Sequence, residues 1–139
     1  MQDNGCHPAK LNIGDAARAS GVTAKMIRHY ESIGLLPAAR RTDAGYRVYG
    51  EPDVRVLQFI HRGRALGFSL DRIANLLALW QDKDRASADV RRLAQEHIGE
   101  LERKIAELQA MKRTLQALAH SCHGDQRSDC PILDDLAST

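Results

Sequence analysis

The chain has 139 residues, 43% hydrophobic and 27% charged, with a net charge of +2, which suits one compact domain with an extension or a small domain carrying a dimerisation arm. No run is long and apolar enough to span a bilayer, and the N-terminus lacks the apolar core of a signal peptide, so a cytoplasmic protein is expected. Residues 1–85 carry a net +4 and residues 86–139 a net −2, so an anionic partner such as nucleic acid is expected on the first part. In a reducing compartment the three cysteines, Cys6, Cys122 and Cys130, point to metal binding or redox chemistry rather than to structural bridges.

Residues 1–10 are polar and without periodicity, which predicts a flexible N-terminal tail, with Cys6 beside His7 expected to be solvated. From Leu11 a pattern begins. Ile13, Ala16, Ala17 and Ala19 predict a short helix ending at Gly21, and Thr23 offers an N-cap for a second, over residues 24–33, stopped by Gly34. Two short helices across a tight glycine-containing turn make a helix-turn-helix. On the second helix Lys25, Arg28 and Tyr30 stand away from Met26 and Ile27, as reading a major groove and anchoring phosphates would need.

Residues 38–42 and 46–49 flank Asp43-Ala44-Gly45, which predicts a hairpin with a glycine-assisted turn. It gathers Arg40, Arg41, Arg47, Tyr46 and Tyr49 on one ribbon, which suits a wing gripping the DNA backbone. Pro52 marks the first turn of a third helix reaching toward Gly67, and Ser69 caps a fourth that carries Leu70, Ile73, Leu77 and Trp80. Both serve mainly as core, so residues 11–81 form a winged helix-turn-helix domain.

Residues 86–119 contain no proline and only one glycine, Gly99. Leu101, Leu108 and Leu115 recur at heptad spacing, with Ile98 and Ile105 on the companion positions. A rod of this length buries little against its own small domain, so the seam requires a second copy. This predicts the dimerisation helix of a homodimer.

Residues 120–139 predict a loop with Cys122 and Cys130 at its ends, then a short helix from Pro131 that places Cys130 at its N-cap. A helix N-terminus favours the thiolate, so the pair is expected to bind metal. Two soft thiolates favour Cu(I), whereas structural zinc takes four ligands. His120 and His123 flank Cys122 and are weighed as further ligands, with solvent or the helix dipole as their expected partner. No acid–base set, phosphate loop or nucleophile with a base is found, so an enzyme is not expected.

Arg28-His29-Tyr30-Glu31, then Gly34-Leu35, then Gly45-Tyr46-Arg47-Val48-Tyr49 and a long helix resemble the MerR family of transcription regulators, over about residues 11–136. Ser87 together with Cys122 and Cys130 is similar to its copper-responsive CueR branch. The resemblance implies a mainly α homodimer with antiparallel long helices, a palindromic double-stranded promoter site, and activation by DNA distortion that lets RNA polymerase use both promoter elements. It also implies Lys25, Arg28, Tyr30, Arg41, Tyr46, Arg47 and Tyr49 as DNA-facing residues. Ser87 stands where the divalent-metal branches have a cysteine from the partner chain, so the resemblance implies a site for Cu(I), Ag(I) or Au(I). The alternatives are a sensor of Zn(II), Pb(II) or Hg(II), a copper-buffering protein, and a redox sensor using a Cys122–Cys130 disulfide.

Overall fold

The computed structural model describes residues 10–122, 124 and 128–138; residues 1–9 of the expected tail over residues 1–10, with Cys6 and His7, and also His123, lie outside the described residues. Six helices and one hairpin follow in the order α1 (Ile13–Ser20), α2 (Ala24–Ser32), β1 (Arg40–Arg41), β2 (Arg47–Val48), α3 (Glu51–Ala65), α4 (Leu70–Gln81), α5 (Ser87–Ser121) and α6 (Pro131–Ala137). The chain divides into two compact units at Ala86/Ser87.

In the first unit, local chemistry sets the helix ends. The side chains of Asn12, Thr23 and Ser69 each accept a backbone N–H from the first turn of their helix, at 2.8, 3.2 and 3.2 Å, satisfying donors that a helix leaves unpaired. Gly21 ends α1 at φ 81°, its N–H donating to the Ala17 carbonyl; only glycine takes that left-handed conformation without strain. Asp53 reaches back to the Gly50 N–H at 2.9 Å and starts α3. That helix stops at Ala65, short of Gly67, because the Phe68 N–H turns back to the Gly63 carbonyl at 3.0 Å.

Ile27, Leu36, Tyr49, Leu57, Ile60 and Ile73 are the largest fully buried side chains, so α1 to α4 and the base of the hairpin share one core. The α3–α4 crossing is close at Gly63, where a Cβ would lie 3.0 Å from Ile73 Cγ1. Glycine here lets the two helices approach.

The hairpin strands are shorter than the expected 38–42 and 46–49. Arg40 pairs with Val48 and Arg41 with Arg47. Pairing then passes elsewhere, since the N–H and carbonyl of Tyr49 bond to Leu11, both at 2.8 Å. The ribbon is thereby anchored to the residues just before α1. At its tip Gly45 sits at φ 88°, as a glycine-assisted turn requires.

In the second unit α5 runs unbroken for 35 residues through Gly99, about 50 Å at 1.5 Å per residue. Ile98, Leu101, Ile105, Leu108 and Leu115 lie exposed along it. α6 packs against α5, with Ile132 half-buried and Leu133 and Leu136 exposed in the single chain. Among the described residues no helix is long and apolar enough to cross a membrane.

Candidate DNA interface and thiol pair

On α2 the cation positions follow from the helical period. Ile27 and Tyr30 face the core, which leaves Lys25 and Arg28 exposed on the opposite side. Arg40 and Arg41 are exposed on β1 and Arg47 is partly exposed on β2. The fold gathers Arg28, Arg41 and Arg47 around one cleft of about 210 Å³, also lined by Glu31, Ser32 and Ala39. Arg41 donates to the Gly45 carbonyl at 2.7 Å, which stiffens the hairpin tip. Tyr46, 72% exposed, stands free on the ribbon.

Two expected DNA-facing rings sit elsewhere. Tyr49 is fully buried and Tyr30 is 5% exposed, so both rings pack in the core. A tyrosine carries enough hydrocarbon to be drawn inside when its hydroxyl finds a partner there. For Tyr49 the partner is Glu31 Oε1 at 3.0 Å. Burial and the adjacent carboxylate push its pKa up to about 12, so at neutral pH the phenol remains a hydrogen-bond donor.

Glu31 carries more than this one bond. Its Oε1 also faces Arg47 Nε at 3.2 Å, and its Oε2 accepts the Ala39 N–H at 2.8 Å. Sequence reading gives Glu31 no DNA role. The available signal is that it is the only acidic residue between Asp15 and Asp43, in a stretch otherwise built to meet an anion.

In the second unit, α5 and α6 bring Cys122 and Cys130 together. Both are unbridged and half-buried, with their sulfurs 4.0 Å apart. That is well beyond a disulfide bond of about 2.05 Å, and near the span of two metal–sulfur bonds of about 2.3 Å each. Cys130 is the N-cap of α6 in an extended conformation. The backbone N–H groups of Leu133 and Ile132 and the Cys122 thiol lower its pKa, against the opposing effects of burial and Asp134. A thiol held this way is readied as a thiolate ligand.

His120 is exposed in the last turn of α5. Among the described residues no group of three or more His, Cys, Asp or Glu converges to hold a metal. Ser87 is the first residue of α5 and exposed. Within one chain it stands about 50 Å from Cys122, at the far end of the same helix.

Comparison with known proteins agrees with this layout. Residues 12–49 match the family profile described as MerR family regulatory protein, and residues 54–118 the one described as MerR, DNA binding. The chain is 57% identical over 128 residues to Heavy metal-dependent transcription regulator 2 of Rhizobium meliloti, covering 92% of this chain and 87% of that protein. It is 42% identical over 127 residues to the HTH-type transcriptional regulator CueR of Escherichia coli O157:H7, covering 91% and 94%. The crystal structure of the transcription regulator PbrR691 from Ralstonia metallidurans in complex with lead(II) superposes with a TM-score of 0.77 at 35% identity, covering 91% of this chain and 99% of that one. The winged helix-turn-helix, the long helix and these likenesses place the chain in the MerR family of transcription regulators, DNA-binding proteins and not enzymes.

Proposed function

We propose that this chain is a cytoplasmic, metal-responsive transcription activator that holds a palindromic promoter as a homodimer and responds to Cu(I), or to Ag(I) or Au(I), through Cys122 and Cys130. The sulfur pair carries the reading. Two half-buried sulfurs 4.0 Å apart, one with a lowered pKa, suit a soft ion of single charge. Divalent zinc sites generally take more donors. The 42% identity to the E. coli protein named CueR supports the copper branch.

Dimerisation follows from the exposed apolar seam of α5. Pairing two such helices antiparallel brings the start of one, with Ser87, beside the end of the other, with Cys122. A serine hydroxyl is a poor soft-metal ligand, so this arrangement keeps the donor set at two sulfurs. In the regulated state, ion binding favours a dimer conformer whose two reading heads bend and untwist the promoter spacer, so that RNA polymerase engages both promoter elements.

The test is metal stoichiometry with X-ray absorption on the reduced, dimeric protein: one ion per sulfur pair in linear two-sulfur coordination is expected. Bound histidine nitrogen with a divalent ion would overturn the copper assignment. The lead(II) complex of the structural relative favours that second reading, a sensor of Zn(II), Pb(II) or Hg(II). Ser87→Cys separates the two. It adds a third thiolate and is expected to broaden a promoter–reporter response toward Zn(II); an unchanged metal preference would remove Ser87 as the selectivity position.

A further inference from the structure

We propose that Glu31 is a positioning residue for DNA binding: its carboxylate locks the wing onto the recognition helix and aims the Arg47 guanidinium at the DNA backbone. The inference rests on the DNA-binding reading of the first unit. One carboxylate on α2 is joined to three places on the segment that follows. Oε2 accepts the Ala39 N–H just before β1, and Oε1 meets Arg47 Nε on β2 and the Tyr49 hydroxyl at the hairpin base.

Each contact fixes a different part of the ribbon. Ala39 sets where β1 leaves the helix. Tyr49, fully buried and bonded through its backbone to Leu11, sets where β2 re-enters the core. Arg47 meets the Glu31 carboxylate as an ion pair on its Nε side at 3.2 Å, which leaves the four N–H donors of its two terminal nitrogens for a phosphate. The guanidinium is planar, so holding its Nε edge against the carboxylate turns the remaining fork toward the cleft side. The Glu31 side chain is 10% exposed and that of Arg47 33%, so the pair bridges from the core edge to the cleft it shares with Arg28 and Arg41.

Simple electrostatics makes the opposite prediction, which sharpens the test. A carboxylate near a polyanion repels it, so removing the charge alone should tighten binding. If Glu31 aims Arg47, removing the charge should weaken it.

The probe is a duplex selected from a random-sequence pool by the wild-type chain, with affinity measured across a salt series. Glu31→Gln is expected to lose about tenfold in affinity, within the range of coupled pairs, and to lower the salt slope by about one phosphate contact. Arg47→Gln should do the same, and in that background Glu31→Gln should lose clearly less than about tenfold, the remainder reflecting its bonds to Ala39 and Tyr49. Unchanged or tighter binding by Glu31→Gln, or an equal loss in both backgrounds, overturns the proposal.

Should Glu31→Gln fail to fold, Arg47→Lys decides. Its ammonium keeps the charge but lacks the fork that serves carboxylate and phosphate together, so it should lose as much as Arg47→Gln, and wild-type affinity overturns the proposal. A wild-type chain that selects no duplex would refute the DNA-binding reading itself, a distinct outcome.

Discussion

Cys122→Ser and Cys130→Ser are each expected to abolish metal-triggered transcription while leaving DNA binding intact. The physical ground is the separation of the two chemistries along the chain. The sulfurs belong to the unit beginning at Ser87, and the cation-lined cleft belongs to the unit ending at Ala86, which has its own core. Removing one of two sulfurs leaves a single strong donor. Even outer-shell partners of a metal are worth about 10- to 100-fold in affinity, so losing a direct ligand should exceed about a hundredfold.

The substitution is small and its site half-buried, so the helices around it should persist. The measurement pairs a gel shift with a metal-dose reporter assay. Unchanged DNA affinity with a flat dose response is expected. Loss of DNA binding would make the cysteines structural, and a retained response would place the metal elsewhere.

Leu108→Glu is expected to give a monomer whose DNA affinity falls by about 10²- to 10⁴-fold, the range in which linking two binding modules multiplies affinity. Leu108 lies midway along the α5 seam and is 56% exposed in the single chain. The seam's other large apolar residues flank it on both sides, Ile98, Leu101 and Ile105 before it and Leu115 after it. A helix showing that much hydrocarbon at heptad spacing is a coiled-coil partner surface.

A carboxylate placed there must be desolvated twice in a symmetric pair, at a cost of several kcal/mol per ion. Sedimentation or light scattering reads the oligomeric state directly. A dimer of wild-type stability in Leu108→Glu would show that this face is not where the copies meet. A monomer with an intact reading head should still bind nonspecifically, through its phosphate contacts.

Much of the fold is legible in the sequence because its signals act over a few residues. Thr23 and Ser69 cap the helices they precede, Gly21 ends α1, and Gly45 turns the hairpin. Such features depend on hydrogen bonds within one turn and on which residue tolerates a positive φ. The long helix is equally local in origin, and Gly99 does not break it, since one glycine costs only about 1 kcal/mol against the propensity of its neighbours. The Cys122–Cys130 juxtaposition is readable too, because only seven residues separate the two cysteines in the sequence.

The tertiary structure alone decides what happens to groups with two natures. From the sequence, Tyr30 and Tyr49 are rings with hydroxyls beside arginines and read as DNA-facing, while in the structure both rings pack in the core. Burial of Tyr49 depends on Leu11 pairing with its backbone and on a carboxylate 18 residues earlier in the chain meeting its hydroxyl. The same holds for Glu31, whose partners Ala39, Arg47 and Tyr49 are brought to it only when the ribbon folds back on α2. Capping and heptad spacing are fixed by neighbours in sequence, whereas the choice of face for an amphipathic side chain is fixed by which distant surface arrives to cover it.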